Sequence, residues 1–154
     1  MSMKRRTFLK GTLASSTVGV AVSAGLLSPQ AVLAYPKDAF KNKEMSGALN
    51  DLLGMADTET SGDITVKAPD IAENGAVVPI TVETSLPAES ISLVVEKNPS
   101  PLVASFDLTD SASGYVSTRI KMGKSSDVIA VVKSGGKLYS GRKEVKVTIG
   151  GCGG

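Results

Sequence analysis

The chain of 154 residues contains no histidine and no tryptophan, and its one cysteine is Cys152. Each shortage closes off chemistry. Without histidine there is neither the commonest general base nor the commonest metal ligand, so no Ser-His-Asp or Cys-His arrangement can be drawn. One cysteine and no histidine also supply no ordinary zinc, haem or iron–sulfur ligand set. A lone thiol has no partner for an internal disulfide. We therefore expect no catalytic residues, no metal site and no bound cofactor. The carboxylates are scattered over strand and loop positions, as solvated charges are, and only folding decides whether any two meet. Aromatic residues make up 4% of the chain. Beyond position 34 they are Tyr35, Phe40, Phe106, Tyr115 and Tyr139, so the core has to be built from Val, Ile, Leu and Ala.

What is present begins with an export signal. Lys4-Arg5-Arg6-Thr7-Phe8-Leu9-Lys10 is a basic opening, and positions 11–27 carry no charge. Val32-Leu33-Ala34 then offers the small and aliphatic residues that a signal peptidase reads. The Arg5-Arg6 pair marks the twin-arginine type. An uncharged run of 17 residues sits at the short end of the membrane-spanning range. Its Gly, Ser and Thr content and the break at Pro29 favour removal over an anchor. Residues 1–34 are thus expected to be a signal peptide cleaved after Ala34, delivering a periplasmic protein with no membrane association of its own.

Cleavage changes the charge. Lys4, Arg5, Arg6 and Lys10 are four of the 17 basic residues, so the remainder holds 13 against 15 acids. The basic excess belongs to the address label. Nucleic-acid binding, which needs a clustered basic face, is not expected.

Residues 35–62 read as an N-terminal helical segment. Pro36 suits a helix opening, and Asp38 suits its first turn. Leu49, Leu52 and Leu53 recur at helical spacing before a stop at Gly54. Phe40 and Met45 either join that stripe or form a separate short helix ending near Ser46-Gly47. Residues 57–63 are polar and read as a loop. From Ile64 the period changes to two. Strands are expected at 64–68, 78–84, 91–96, 103–108, 115–122, 128–133, 137–139 and 144–149, with turns at Asn74-Gly75 and Ser134-Gly135-Gly136. Pro79 has no ladder donor and should lie at an edge or a strand start. The fold class is mainly β: an immunoglobulin-like antiparallel β-sandwich over 63–149, with the helical segment before it and a flexible C-terminal tail at 150–154.

That tail is Gly150-Gly151-Cys152-Gly153-Gly154. A lone cysteine is usually a buried apolar residue. Three residues from the chain end, with glycine on both sides, it is instead placed to be exposed, and chain ends fray unless tied down. Glycine lets the thiol swing and keeps the group slim enough for narrow channels. Cys152 is therefore the expected covalent attachment point, with Gly150, Gly151, Gly153 and Gly154 as its arm. The protein is then the substrate of other enzymes rather than an enzyme itself.

The terminal pentapeptide after Val147-Thr148-Ile149, behind a twin-arginine signal, resembles the SoxY family of sulfur carriers from the periplasmic thiosulfate-oxidising Sox system. Residues 68–79, Ala-Pro-Asp-Ile-Ala-Glu-Asn-Gly-Ala-Val-Val-Pro, resemble the early strand-turn-strand signature of that family. The resemblance implies a heterodimer with a second small β-sandwich, SoxZ. It further implies conjugation of Cys152 to thiosulfate by the SoxAX cytochrome, and hydrolytic release of sulfate by SoxB. In some systems a sulfane dehydrogenase acts as well. Two other readings stand beside it. Gly153-Gly154 fits a ubiquitin-like carrier activated as a thiocarboxylate, although adenylation needs cytoplasmic ATP. Cys152 also has the chemistry of an intermolecular disulfide in a structural module, or in a dimer formed as a side reaction.

Overall fold

Alternating β-branched and aliphatic residues fold here into two facing sheets. The computed structural model describes residues 36–148, which all belong to the compact unit that begins at Pro36. The larger sheet has the order β1 (Thr58–Thr60), β9 (Lys137–Val147), β8 (Ser126–Ser134), β5 (Ser90–Val95) and β6 (Leu102–Asp107), with β3 (Ile71–Ala72) also paired to β9. The smaller sheet is β2 (Ile64–Lys67), β4 (Val78–Thr84) and β7 (Tyr115–Ile120). Pairing is antiparallel throughout, except where β1 and β3 lie parallel to β9.

Two apolar layers hold the molecule. Ile80, Val82, Ile91, Leu93, Val128, Ala130, Val132 and Val145 fill the space between the sheets. Val94, Ile129, Val131 and Leu138 point the other way and are covered by α1 (Met45–Leu53) through Ala48 and Leu49, with Ala39 from a preceding 3-10 turn. Both faces of β5 and most of β8 are buried as a result. This is why Ser-Ile-Ser-Leu-Val-Val and Val-Ile-Ala-Val-Val read as near-continuous runs rather than clean alternation.

The helical segment is two pieces. The 3-10 turn Ala39–Lys41 ends at Asn42, and α1 runs from Met45 to Leu53. The first piece thus stops before Ser46-Gly47, and those residues lie inside α1. A Cβ at Gly47 would sit 2.4 Å from the Asn42 side chain, which would have to turn away from its contacts with Asp51 and the Glu44 amide. Gly54 ends α1 in the left-handed region (φ 76°), as its composition predicts.

Three further differences from the sequence-based expectation have physical causes. Thr58–Thr60, expected as loop, forms β1 by taking the free edge of β9. Ile71–Ala72, read within no strand, forms β3 in the same way. The segments expected at 137–139 and 144–149 are one strand, β9, because Ser140-Gly141-Arg142-Lys143 continues the ladder against β8. Gly141 does not break it. Its missing side chain admits Ile64 from the other sheet, whose Cγ2 would lie 2.8 Å from a Cβ. Pro79 is the second residue of β4, at a strand start as expected, and because β2 reaches only as far as Thr81 no neighbour asks it for a donor on that side. The Gly135-Gly136 hairpin has both φ values positive (57° and 75°), as a type I′ turn requires.

Candidate functional site: the exit of the C-terminal segment

Cys152, Gly150, Gly151, Gly153 and Gly154, and the signal residues Arg5 and Arg6, lie outside the described residues. The structure defines the place from which the cysteine departs. β9 carries the chain to Val147, and its last residues are held on two sides. Lys146 donates its amide to the Asp70 carbonyl at 2.9 Å, and Thr148 donates to the Ala72 carbonyl at 3.1 Å. Between them, Val147 donates to the Ser125 hydroxyl at 2.9 Å. Successive amides of an extended chain point to opposite sides, so β3 grips one side and the β7–β8 loop grips the other.

The neighbouring loops are tied to each other. Asn74 caps its own turn by accepting from the Ala76 amide at 2.9 Å. The Gly75 carbonyl then accepts from the Met122 amide at 2.7 Å. Asn98, in the β5–β6 turn, donates to the Lys121 carbonyl at 2.8 Å and accepts from the Gly123 amide at 3.0 Å. The β3–β4, β5–β6 and β7–β8 loops and the end of β9 thus form one connected end of the sandwich. Gly75 is its tightest point. A Cβ there would meet the Met122 carbonyl oxygen at 2.4 Å and Val147 Cγ1 at 2.8 Å.

Charge is arranged around this exit. Lys143 forms an ion pair with Asp70. That hydrogen bond and the Lys143 charge, with a smaller contribution from Lys146, hold the Asp70 carboxyl below its ordinary range. Asp70, Ile71, Lys143, Glu144 and Lys146 line a cleft of about 310 Å³ at the same place. Ile71 and Val77 are exposed on these loops (58% and 51%).

Among the described residues no group of three or more His, Cys, Asp or Glu side chains is placed to hold a metal ion, and no helix is long and apolar enough to cross a membrane. Sequence reading singled out Asp70 only as part of a motif, and Gly75 as part of that motif and as a turn residue. It missed Ser125 and Lys143, because a two-residue parallel strand and a single hydroxyl bracing β9 leave no periodic trace.

A family model described as sulfur oxidation protein SoxY matches residues 49–152, from α1 to the cysteine. Among solved structures, the sulfur carrier protein SoxY from Chlorobium limicola f thiosulfatophilum is similar at 50% identity and TM-score 0.55, covering 60% of this chain and 84% of that one. A superoxide reductase (neelaredoxin) from Ignicoccus hospitalis has TM-score 0.52 at 17% identity, covering 59% of this chain and 95% of that one, and shares the fold alone. No curated protein matches the chain.

Proposed function

The chain belongs to the SoxY family of sulfur oxidation proteins, and from that premise we propose that it is a covalent sulfur carrier whose attachment point is Cys152. One observation carries this: the family match runs through the whole sandwich and ends on the cysteine itself. A braced strand end four residues before the thiol agrees with it. The body is fixed, and whatever Cys152 carries is presented from one defined end.

The chemistry is written on the thiol. Cys152–SH and thiosulfate would join to give Cys152–S–S–SO₃⁻, releasing one proton and two electrons, which the SoxAX cytochrome would take up in two one-electron steps. Water then attacks the terminal sulfonate sulfur, a reaction assigned to SoxB. Sulfate and a proton leave, and the sulfane sulfur stays on Cys152 as a persulfide for further oxidation, in some systems by a sulfane dehydrogenase. SoxZ is the proposed heterodimer partner, and twin-arginine export to the periplasm is the proposed route. The carrier supplies presentation, and the partners supply oxidation and hydrolysis.

Intact-mass analysis of the protein taken from thiosulfate-oxidising cells tests this. A thiosulfonate or polysulfide adduct is expected, lost on reduction and absent from Cys152→Ser. An unmodified thiol during thiosulfate metabolism would sink the proposal. So would an adduct on the Gly154 carboxylate.

A further inference from the structure

The charges of the sandwich are sorted between its two ends. From Ile64 onward, Lys67 pairs with Glu83, Lys133 with Glu89, Lys137 with Glu59, Arg142 with Asp127 and Lys143 with Asp70. Lys97, Arg119, Lys121, Lys124 and Lys146 are exposed and form no ion pair within 4.0 Å among the described residues, although Lys146 is near enough to act on Asp70. All five stand at the exit of the C-terminal segment. Lys97 is in the β5–β6 turn that Asn98 ties to the Lys121 carbonyl. Arg119 and Lys121 are at the end of β7, and Lys124 is in the following loop beside Ser125, which binds the Val147 amide. Lys146 is one residue from the end of β9. Asp70, Glu73, Glu96, Asp127 and Glu144 stand among them, and two of these are already taken by Lys143 and Arg142. At the far end Asp63, Glu83, Glu89, Asp107 and Asp110 outnumber Lys67, Lys133 and Lys137. From β1 to β9 the sandwich holds ten basic residues against eleven acids, with the excess of base where the C-terminal segment leaves and the excess of acid at the opposite end.

A single exposed lysine is a solvated charge and needs no explanation. Segregation to one end does. Four residue steps separate Thr148 from Cys152, so the thiol reaches at most about 14 Å from the sandwich, at 3.3–3.6 Å per residue. An enzyme that receives Cys152 in a channel must bring its surface against these loops. The Debye length is about 8 Å at physiological ionic strength, so that surface feels the five cations directly. The cations do not converge on one point. Lys146 lines the cleft beside Asp70, whereas Arg119 and Lys121 line a separate groove of about 540 Å³ with Pro99, Val103 and Ala104. A small oxyanion is held by convergent donors; a spread of cations over several loops suits a broad acidic surface.

We propose that the exit end is a cationic docking face, which steers the carrier onto enzymes whose channel mouths are rimmed by carboxylates. The proposal rests on the carrier function set out above. The test uses the full mature carrier with purified SoxAX cytochrome and thiosulfate, following adduct formation on Cys152 across ionic strength. One variant carries Lys97→Gln, Lys121→Gln and Lys124→Gln. A control removes the same charge from the far end with Lys67→Gln, Lys133→Gln and Lys137→Gln. Steering of this kind is worth roughly tenfold or more in association. The exit-end variant should lose about tenfold in kcat/KM at low salt, keep its kcat, and lose most of the salt dependence seen in the wild type, while the control stays within about twofold. Equal behaviour of the two variants would overturn the docking face. A parallel measurement labels Cys152 with a dianionic aromatic disulfide. If the exit-end variant slows this labelling as much as it slows the enzyme, the lysines act on small anions and docking is overturned. Wild type that takes no adduct at any ionic strength would overturn the carrier function itself, a result distinct from the other two.

Discussion

Replacing Gly75 by alanine tests whether the exit end is as tightly built as its contacts imply. The added methyl would stand 2.4 Å from the Met122 carbonyl oxygen and 2.8 Å from Val147 Cγ1. The valine can turn aside. The carbonyl cannot, because it is backbone and the same residue's amide is bonded to the Gly75 carbonyl at 2.7 Å. The loops must separate by several tenths of an ångström. Overpacking of this kind costs about 1–3 kcal/mol, and a strained hydrogen bond adds up to about 1 kcal/mol, so a loss of roughly 2–3 kcal/mol is expected. At about 2.1 cal/mol/K per residue, a unit of this size loses roughly 4 °C of Tm per kcal/mol. Calorimetry on the chain lacking residues 1–34 should show Tm lowered by roughly 8–12 °C. Gly62→Ala is the control, because a Cβ there meets nothing within 4 Å. It should leave Tm unchanged or slightly raised. A Gly75→Ala variant within about 0.5 kcal/mol of wild type would refute the reasoning, since surface substitutions that meet nothing behave that way.

Two further outcomes follow from the packing and the charges. Leu49 is fully buried beneath α1 against Val94, Ile129, Val131 and Leu138, so Leu49→Ala should cost about 2–5 kcal/mol; urea unfolding that shows less than about 1 kcal/mol would mean that α1 covers the sheet without anchoring on it. The Asp70 carboxyl is held low by Lys143, so its contribution to stability is complete above the ordinary carboxylate value of about 3.9 and is lost as pH falls through the lower folded-state value. A ¹³C titration should place the Asp70 midpoint below that of a free aspartate and move it upward in Lys143→Met, with the Lys146 and Thr148 amides losing exchange protection over the same acid range. An ordinary Asp70 midpoint would sink that account.

The sandwich was legible because its strands declare themselves by period, its β8–β9 hairpin by Gly135-Gly136 and the turn before β4 by Asn74-Gly75. The fate of Gly141 was not legible. A glycine inside an alternating run looks like a break until the opposing sheet supplies Ile64 to fill the gap. β1 and β3 were hidden for a related reason. Thr58–Thr60 and Ile71–Ala72 are too short and too polar or mixed to show a period, and only the free edge of β9 makes them strands. Cys152, the proposed attachment residue, stands out by composition and position. The bracing around it does not, since Asp70 lies 73 residues from Lys143 in sequence and Ser125 lies 22 residues from the Val147 amide that it binds. The sorting of charge between the two ends was equally invisible, because a linear count cancels it.

The hydrogen bonds that fix Val147 and Thr148 set a concentration as well as a position. With its base fixed, Cys152 is confined to a sphere of about 14 Å around Thr148, whatever path residues 149–151 take. One group in that volume corresponds to an effective concentration on the order of 0.1 M. Typical substrates are worked on at about 1 μM to 1 mM. On the proposed carrier function, an enzyme seated on the exit end therefore meets a saturating supply of whatever Cys152 carries, even with little affinity for the sulfur group itself. Discrimination between successive enzymes then falls to how each recognises the body and to which sulfur oxidation state each can turn over.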